Sequence, residues 1–161
     1  MLNVIIEGPD GSGKSTLTRL LIEEFPQFDL QLGAGPERYP GEIIERIKKY
    51  LDMEGKIFDR HPCISQPIYG SFREGATQVP EELIKCFYMS DPLIIFCNGR
   101  FDHHEVKDYD TAEHLAMIEE NDEKIRILYD RWVQKTKCIT FRPAMDDGSV
   151  LVKYIKQRIA L

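Results

Sequence analysis

Apolar residues in this chain follow two arrangements: short continuous runs, and longer stretches in which they recur every three or four residues. Continuous runs at 3–6, 28–32, 56–58, 93–97 and 138–141 predict strands, and mostly unbroken apolar character marks strands covered on both faces. The stretches between them predict helices. The first begins near Lys14 and places Leu17, Leu20, Leu21 and Phe25 on one stripe, and the second, after Pro40, does the same with Ile43, Ile44, Ile47, Tyr50 and Leu51. A third begins at Pro80, with Glu81 and Glu82 in its first turn. A long fourth opens with Asp110 and Glu113 at capping-box spacing and buries Ile125, Leu128, Tyr129, Trp132 and Val133. Trp132 lies on that stripe and is expected to anchor the core rather than stack on a base. A last helix follows Gly148. Strands alternating with helices imply an α/β fold in three layers, a mainly parallel sheet wrapped on both sides, with ligands beyond the carboxyl ends of the strands. Nothing reads as a repeat, a low-complexity tract or a linker, and 161 residues suit one domain spanning 1–161.

Between the first strand and the first helix, Gly8-Pro9-Asp10-Gly11-Ser12-Gly13-Lys14-Ser15 fits the phosphate-loop pattern G-x-x-x-x-G-K-[ST]. Glycines at 8, 11 and 13 let the backbone fold tightly, so that successive N–H groups, those of Ser12 through Thr16 among them, converge on an anion at the positive end of a helix. Lys14 would reach the β- and γ-phosphates of a nucleotide, and the Ser15 hydroxyl would ligate Mg²⁺, which prefers oxygen. A GTPase would be expected to carry an N-K-x-D base-reading motif, which the chain lacks, and a motor or large ATPase needs far more sequence. A small kinase is what remains.

Composition narrows the partners. A net charge of −6 argues against a nucleic-acid binder, which would present a basic surface to displace counterions. Cys63, Cys86, Cys97 and Cys138 form no C-x-x-C pair and are expected as reduced, mostly buried thiols. The first apolar run ends at Glu7 and is too short for a signal peptide, and no later run is long enough to span a bilayer, so a cytoplasmic enzyme of small-molecule nucleotides is expected.

Three blocks carry a resemblance to a known family: Ile5-Ile6-Glu7-Gly8-Pro9-Asp10-Gly11-Ser12-Gly13-Lys14-Ser15-Thr16, Gly35-Pro36-Glu37-Arg38 before a helix, and Phe58-Asp59-Arg60-His61 at a strand end. Together they resemble the thymidylate kinase and deoxynucleoside kinase superfamily over the first half of the chain; the second half matches only in its order of elements. The resemblance implies a five-stranded parallel sheet flanked by helices, and transfer of the ATP γ-phosphoryl group to a nucleotide or nucleoside. It further implies that Arg38 binds the acceptor's phosphate, that Asp59 holds a Mg²⁺-bound water or acts as base, that Arg60 bridges donor and acceptor phosphates, and that Asp10 accepts a hydrogen bond from the acceptor's 3′-hydroxyl. Each has a plainer alternative: a surface pair of Arg38 with Glu37 or Glu42, a mutual Asp59–Arg60 salt bridge, and a turn preference of Asp10. Glu7 could touch a metal-bound water or only cap the sheet.

A kinase must also exclude water from the migrating group, usually with a lid. Residues 98–109 are expected to form it, and Arg100 is the candidate for supplying charge to the transition state, because the phosphate loop has no arginine. His103, His104 and Glu105 lack the i, i+4 spacing of helical zinc motifs and are expected in a polar surface loop. Members of the family usually carry two helices between the positions of Arg38 and Asp59, the second reading the base; this chain has room for one, so the base pocket is expected within residues 62–72, from Ser65, Gln66, Tyr69 and Phe72. The preferred acceptor is a deoxynucleoside monophosphate. An unphosphorylated nucleoside, and a regulator that binds ATP without turnover, stay open. The apolar stripes neither require nor exclude the homodimer frequent in the family. The compact build resembles phage-encoded kinases, whose compartment would be the host cytoplasm.

Overall fold

The computed structural model describes residues 1–101, 107 and 110–160. Among them, strands β1 (Val4–Glu7), β2 (Asp29–Gln31), β3 (Lys56–Asp59), β4 (Leu93–Cys97) and β5 (Ile139–Phe141) form one sheet in the order β2-β3-β1-β4-β5. Every pairing is parallel. Helices α1 (Lys14–Glu24), α2 (Glu42–Leu51), α3 (Pro62–Tyr69), α4 (Glu81–Met89), α5 (Ala112–Lys135) and α6 (Gly148–Ile159) join them, and a 3₁₀ turn (Gly70–Phe72) follows α3.

The two-residue period of the strands divides the core. Ile5, Phe58, Ile94 and Phe96 face one way and pack with Ile43 and Ile47 of α2, Ile64 of α3, Phe87 of α4 and Ile125 and Tyr129 of α5. Val4, Ile6, Ile57, Leu93, Ile95 and Cys97 face the other way, against Leu17 and Leu21 of α1 and Leu151 and Ile155 of α6. Each such side chain taken fully from water contributes about 1.5–3 kcal/mol. The central strands are buried at every position, as continuous apolar runs require. β2 departs from that expectation: it is an edge strand, and Leu30 and the adjacent Leu32 are exposed.

Three local readings are corrected. Residues 62–69 form α3, which the hydrophobic spacing did not indicate because Pro67 sits inside so short a helix. Thr111 caps α5, its hydroxyl accepting the His114 N–H at 3.1 Å, whereas Asp110 accepts the Lys107 N–H at 2.8 Å. Cys86 is exposed, while Cys63 and Cys97 are buried. Trp132 packs against the core as expected, its indole N–H donating to the Tyr88 hydroxyl at 2.9 Å.

In this register the carboxyl ends of β1, β3 and β4 lie side by side, with Ile6 beside Asp59 and Glu7 beside Phe96. The phosphate-loop segment leaves β1 at that edge and enters α1.

Candidate active site

Gly13, at φ +95, precedes α1, and no side chain caps that helix end, so its first N–H groups remain available to an anion. At Gly8 a Cβ would lie 2.5 Å from the Cys97 carbonyl oxygen and 2.7 Å from Ser12 Oγ, so only glycine fits. The chain after β4 straps the loop: Gly99 N–H donates to the Ser12 carbonyl at 3.1 Å and Phe101 N–H to that of Gly11 at 2.9 Å. A buried arginine that the sequence reading did not single out completes the clamp. Arg126 of α5 donates to the Gly99 carbonyl and to the Asp10 carbonyl, each at 3.1 Å, with Asp122 at 3.0 Å as its counter-charge. The signal was present: a charge interrupting the buried face between Ile125 and Tyr129 needs partners.

Lys14 is buried and donates to the Pro9 carbonyl at 2.9 Å. Burial first, and the Arg60 charge second, lower its pKa from the ordinary 10.5 to about 8. An ammonium held in so dry a place is a strong partner for a phosphate oxygen.

Beside the loop lies a buried polar chain. Glu7 accepts the His61 N–H at 2.7 Å and the Tyr129 hydroxyl at 2.9 Å. It thereby joins the end of β1 to the backbone just after β3, away from open solvent, and burial raises its pKa. Arg60 follows β3 at φ +69, a left-handed conformation that costs a side-chain-bearing residue about 1–3 kcal/mol. Its guanidinium donates to Tyr129 Oη at 3.0 Å and to Asp10 Oδ1 at 3.2 Å, and lies 4.7 Å over the Tyr69 ring. Tyr69 donates to Asp10 Oδ2 at 3.1 Å. So Asp10, Arg60 and Tyr69, proposed separately from the sequence, meet in one cluster, and Arg60 pairs with Asp10 rather than with Asp59. Asp59 is buried, 3.0 Å from Lys107 Nζ, and its Oδ1 has no hydrogen-bond partner among the described residues. His61, stacked on Phe87 at 4.3 Å, caps α3 through Nδ1, and burial lowers its pKa to about 3, so it stays neutral.

A cavity of about 300 Å³ runs on from the loop. Asp10, Gly11, Ser12, Gly13, Lys14, Ser15 and Thr16 line one end, and Arg60, Ser65, Gln66 and Tyr69 line the wall, together with Arg19, Arg46, Arg73, Lys107 and His114. Arg46 donates to the Gly35 carbonyl at 2.7 Å and pairs with Glu42 at 3.2 Å. Gln66 donates to the Thr77 carbonyl at 3.0 Å, and Ser65 to that of His61 at 3.2 Å.

Five expected residues stand outside this cavity lining: Asp59, placed above beside Lys107, and four more. Arg38 is 82% exposed and chelates Glu42 at 2.8 and 3.0 Å, the surface pair named as its alternative. Arg100 is 64% exposed and pairs with Glu123 at 2.6 Å, its side chain drawn toward α5 by that carboxylate. Phe72 packs against the core from the 3₁₀ turn. Gly8 sits beneath the loop against Cys97. Glu37, between Pro36 and Arg38, bonds to the N–H and hydroxyl of Thr77 at 2.8 and 2.9 Å, tying the P-E-R segment to the chain before α4. Most of the expected lid, with His103, His104 and Glu105, lies outside the described residues. Among those residues no group of three or more His, Cys, Asp or Glu could hold a metal, and no helix is long and apolar enough to cross a membrane.

No protein-family model matches the chain. Among curated proteins, the guanylate kinase of Helicobacter hepaticus is 27% identical over 151 residues, covering 86% of this chain and 71% of that protein. Among solved structures, Bacillus subtilis YorR in complex with phosphorylated GDP superposes with a TM-score of 0.72 at 17% identity, covering 99% of this chain and 96% of its own. The M. mycoides deoxyadenosine kinase with products dCMP and dCDP bound, and the thymidylate kinase of Ehrlichia chaffeensis, each superpose with a TM-score of 0.56 at 16% identity, covering 99% of this chain and 98% of theirs. With a five-stranded parallel sheet, a glycine-rich loop leading into α1 and these likenesses, the chain has the fold of the P-loop nucleotide and nucleoside kinases.

Proposed function

We propose that the protein transfers the γ-phosphoryl group of ATP to a deoxynucleoside monophosphate. The observation that carries this reading is the cavity's charge: Lys14, Arg19, Arg46, Arg60, Arg73 and Lys107 line it against Asp10 and Asp110, in a chain whose net charge is −6. Even with Glu42 paired to Arg46 and Asp59 to Lys107, this excess of cations suits two phosphorylated ligands better than one, since an unphosphorylated nucleoside brings no charge. The main-chain amides and Lys14 would hold the donor's β- and γ-phosphates. Arg60 would bridge the migrating group, and Asp10, already bonded to Arg60 and Tyr69, would orient the acceptor's sugar hydroxyl. Arg46 and Arg73, rather than the outward-facing Arg38, would take the acceptor's phosphate.

Mg²⁺ fits the residues present: the unpartnered Asp59 Oδ1 and the Ser15 hydroxyl are hard oxygen donors at the loop, suited to a cation that keeps most of its water and phosphate ligands. Bound there, it would neutralise charge on the phosphates. The same Asp59 oxygen favours the second reading, in which Asp59 acts as base toward a nucleoside 5′-hydroxyl. A guanylate kinase and a complex with phosphorylated GDP stand among the likenesses beside a thymidylate kinase, so the base is to be sought among purines as well as thymine.

Coupled ADP release against a panel of nucleosides and monophosphates tests the reading, with stimulation by a monophosphate expected. Stimulation only by nucleosides selects the second reading, and ATP binding without acceptor-stimulated release selects a regulator. With the best acceptor, Arg46→Ala should raise its KM about 10- to 100-fold, the loss of a charged hydrogen bond. Arg38→Ala removes only a surface pair and should shift that KM by less than about fivefold. The reverse order would return Arg38 to the acceptor site.

A further inference from the structure

We infer that Tyr129 and Glu7 are positioning residues, which hold the Arg60 guanidinium in the cavity wall by gripping both its tip and the backbone beneath it. The inference rests on the phosphotransfer reading of the site. Packing explains the Tyr129 ring but not its hydroxyl. The ring is fully buried, stacks on Phe96 at 5.8 Å and 22°, and meets Tyr69 and Trp132 edge-on, and a phenylalanine would make the same contacts. The hydroxyl accepts from Arg60 Nη1 at 3.0 Å and donates to Glu7 Oε2 at 2.9 Å, joining α5, β1 and the end of β3. The other Glu7 oxygen accepts the His61 N–H at 2.7 Å, and the Arg60 N–H donates to the Ile6 carbonyl at 2.9 Å.

The peptide groups on both sides of Arg60 are thus fastened to β1, which is how a non-glycine residue is kept at φ +69. The left-handed turn, in a conformation most side chains avoid, brings the guanidinium over Tyr69 at 4.7 Å and beside Asp10 at 3.2 Å. A guanidinium that must meet a migrating phosphoryl group gains from being held before the ligand arrives, because orientation then costs nothing during the reaction. A buried carboxyl and phenol in an otherwise apolar layer are a costly way to fill space and an effective way to fix one cation.

Tyr129→Phe and Glu7→Gln, single and combined, would be measured for kcat and for both KM values with the acceptor the panel selects, alongside thermal midpoints and the NMR signals of the Arg60 guanidinium. A kcat lowered about 10- to 100-fold in Tyr129→Phe, with both KM values within about threefold of the parent, is expected. The combined variant should lose little more than the worse single one, since the two side chains act in series. In the parent the Arg60 Nη protons should exchange slowly and the two nitrogens should be distinct, and in Tyr129→Phe they should average. A kcat equal to the parent's, or guanidinium signals unchanged by the substitution, overturns the inference. If the parent transfers no phosphoryl group to any acceptor, the phosphotransfer reading fails by itself, and the guanidinium signals still decide whether Tyr129 holds Arg60.

Discussion

A Lys14→Ala variant should turn over acceptor about a thousandfold more slowly than the parent, the loss expected when a preorganised charge on the migrating phosphoryl group is removed. Lys14 is buried, and its ammonium rests on the Pro9 carbonyl within the loop that would receive the phosphates. Its charge is also poised, with a pKa lowered by burial to about 8. Two opposite pH trends follow. Nucleotide affinity of the parent should weaken as pH rises through about 8, because the ammonium is lost, while a bound phosphate pulls the titration upward. Stability of the ligand-free protein should move the other way. Between about 8 and 10.5 the unfolded chain binds the proton more tightly than the folded one, so folding is favoured as pH rises through that interval, and below about 8, where both states hold the proton, the contribution stays constant. Nucleotide titrations and thermal midpoints at pH 6.5 to 9.5 check both. A Lys14→Ala protein should lose both trends, and turnover within tenfold of the parent's would remove Lys14 from the mechanism.

What could be read in advance was what the chemistry fixes locally. A phosphate loop needs glycines and a lysine at set intervals, and Gly8, Gly13 and Lys14 occupy the positions their spacing required. Buried parallel strands need unbroken apolar runs, and β1 and β4 are buried throughout. What escaped depends on contacts between distant residues. Arg38 and Arg46 lie eight positions apart near the same helix, and only the packing of α2 turns one outward to Glu42 and the other into the cavity. Glu7 was ambiguous because its partners, His61 and Tyr129, come from a strand end and a helix 54 and 122 residues away. Arg126 meets the phosphate loop across 116 residues. Helix α3 was hidden by Pro67, yet it carries Ser65, Gln66 and Tyr69 to the cavity, so the segment named for the acceptor lines that space while its conformation went unread.

Substitutions at position 60 separate the guanidinium from the backbone that carries it. Arg60→Gly and Arg60→Ala should both lower kcat about a thousandfold, since both remove a cation aimed at the transferring group. They should differ in stability. Both lose the guanidinium's bonds alike, but glycine adopts φ +69 without penalty whereas alanine keeps the strain, so Arg60→Ala should be the less stable by about 1 kcal/mol. Either substitution also removes the charge that acts most strongly on Glu7. Burial already raises the Glu7 pKa and the Arg60 cation opposes that rise, so without Arg60 the carboxyl should titrate at still higher pH. A buried acid with a raised pKa stabilises the fold fully below its unfolded pKa of 4.5, and that contribution is lost as pH climbs through the folded value. The loss of stability with rising pH should therefore continue to higher pH in the variants than in the parent, which thermal midpoints from pH 5 upward measure directly. A loss that ends at the same pH in parent and variants would mean that the Arg60 charge does not reach Glu7. The bridge through Tyr129 would then be a matter of geometry alone, and Arg60→Gly could lose kcat without any change in how the buried carboxyl titrates.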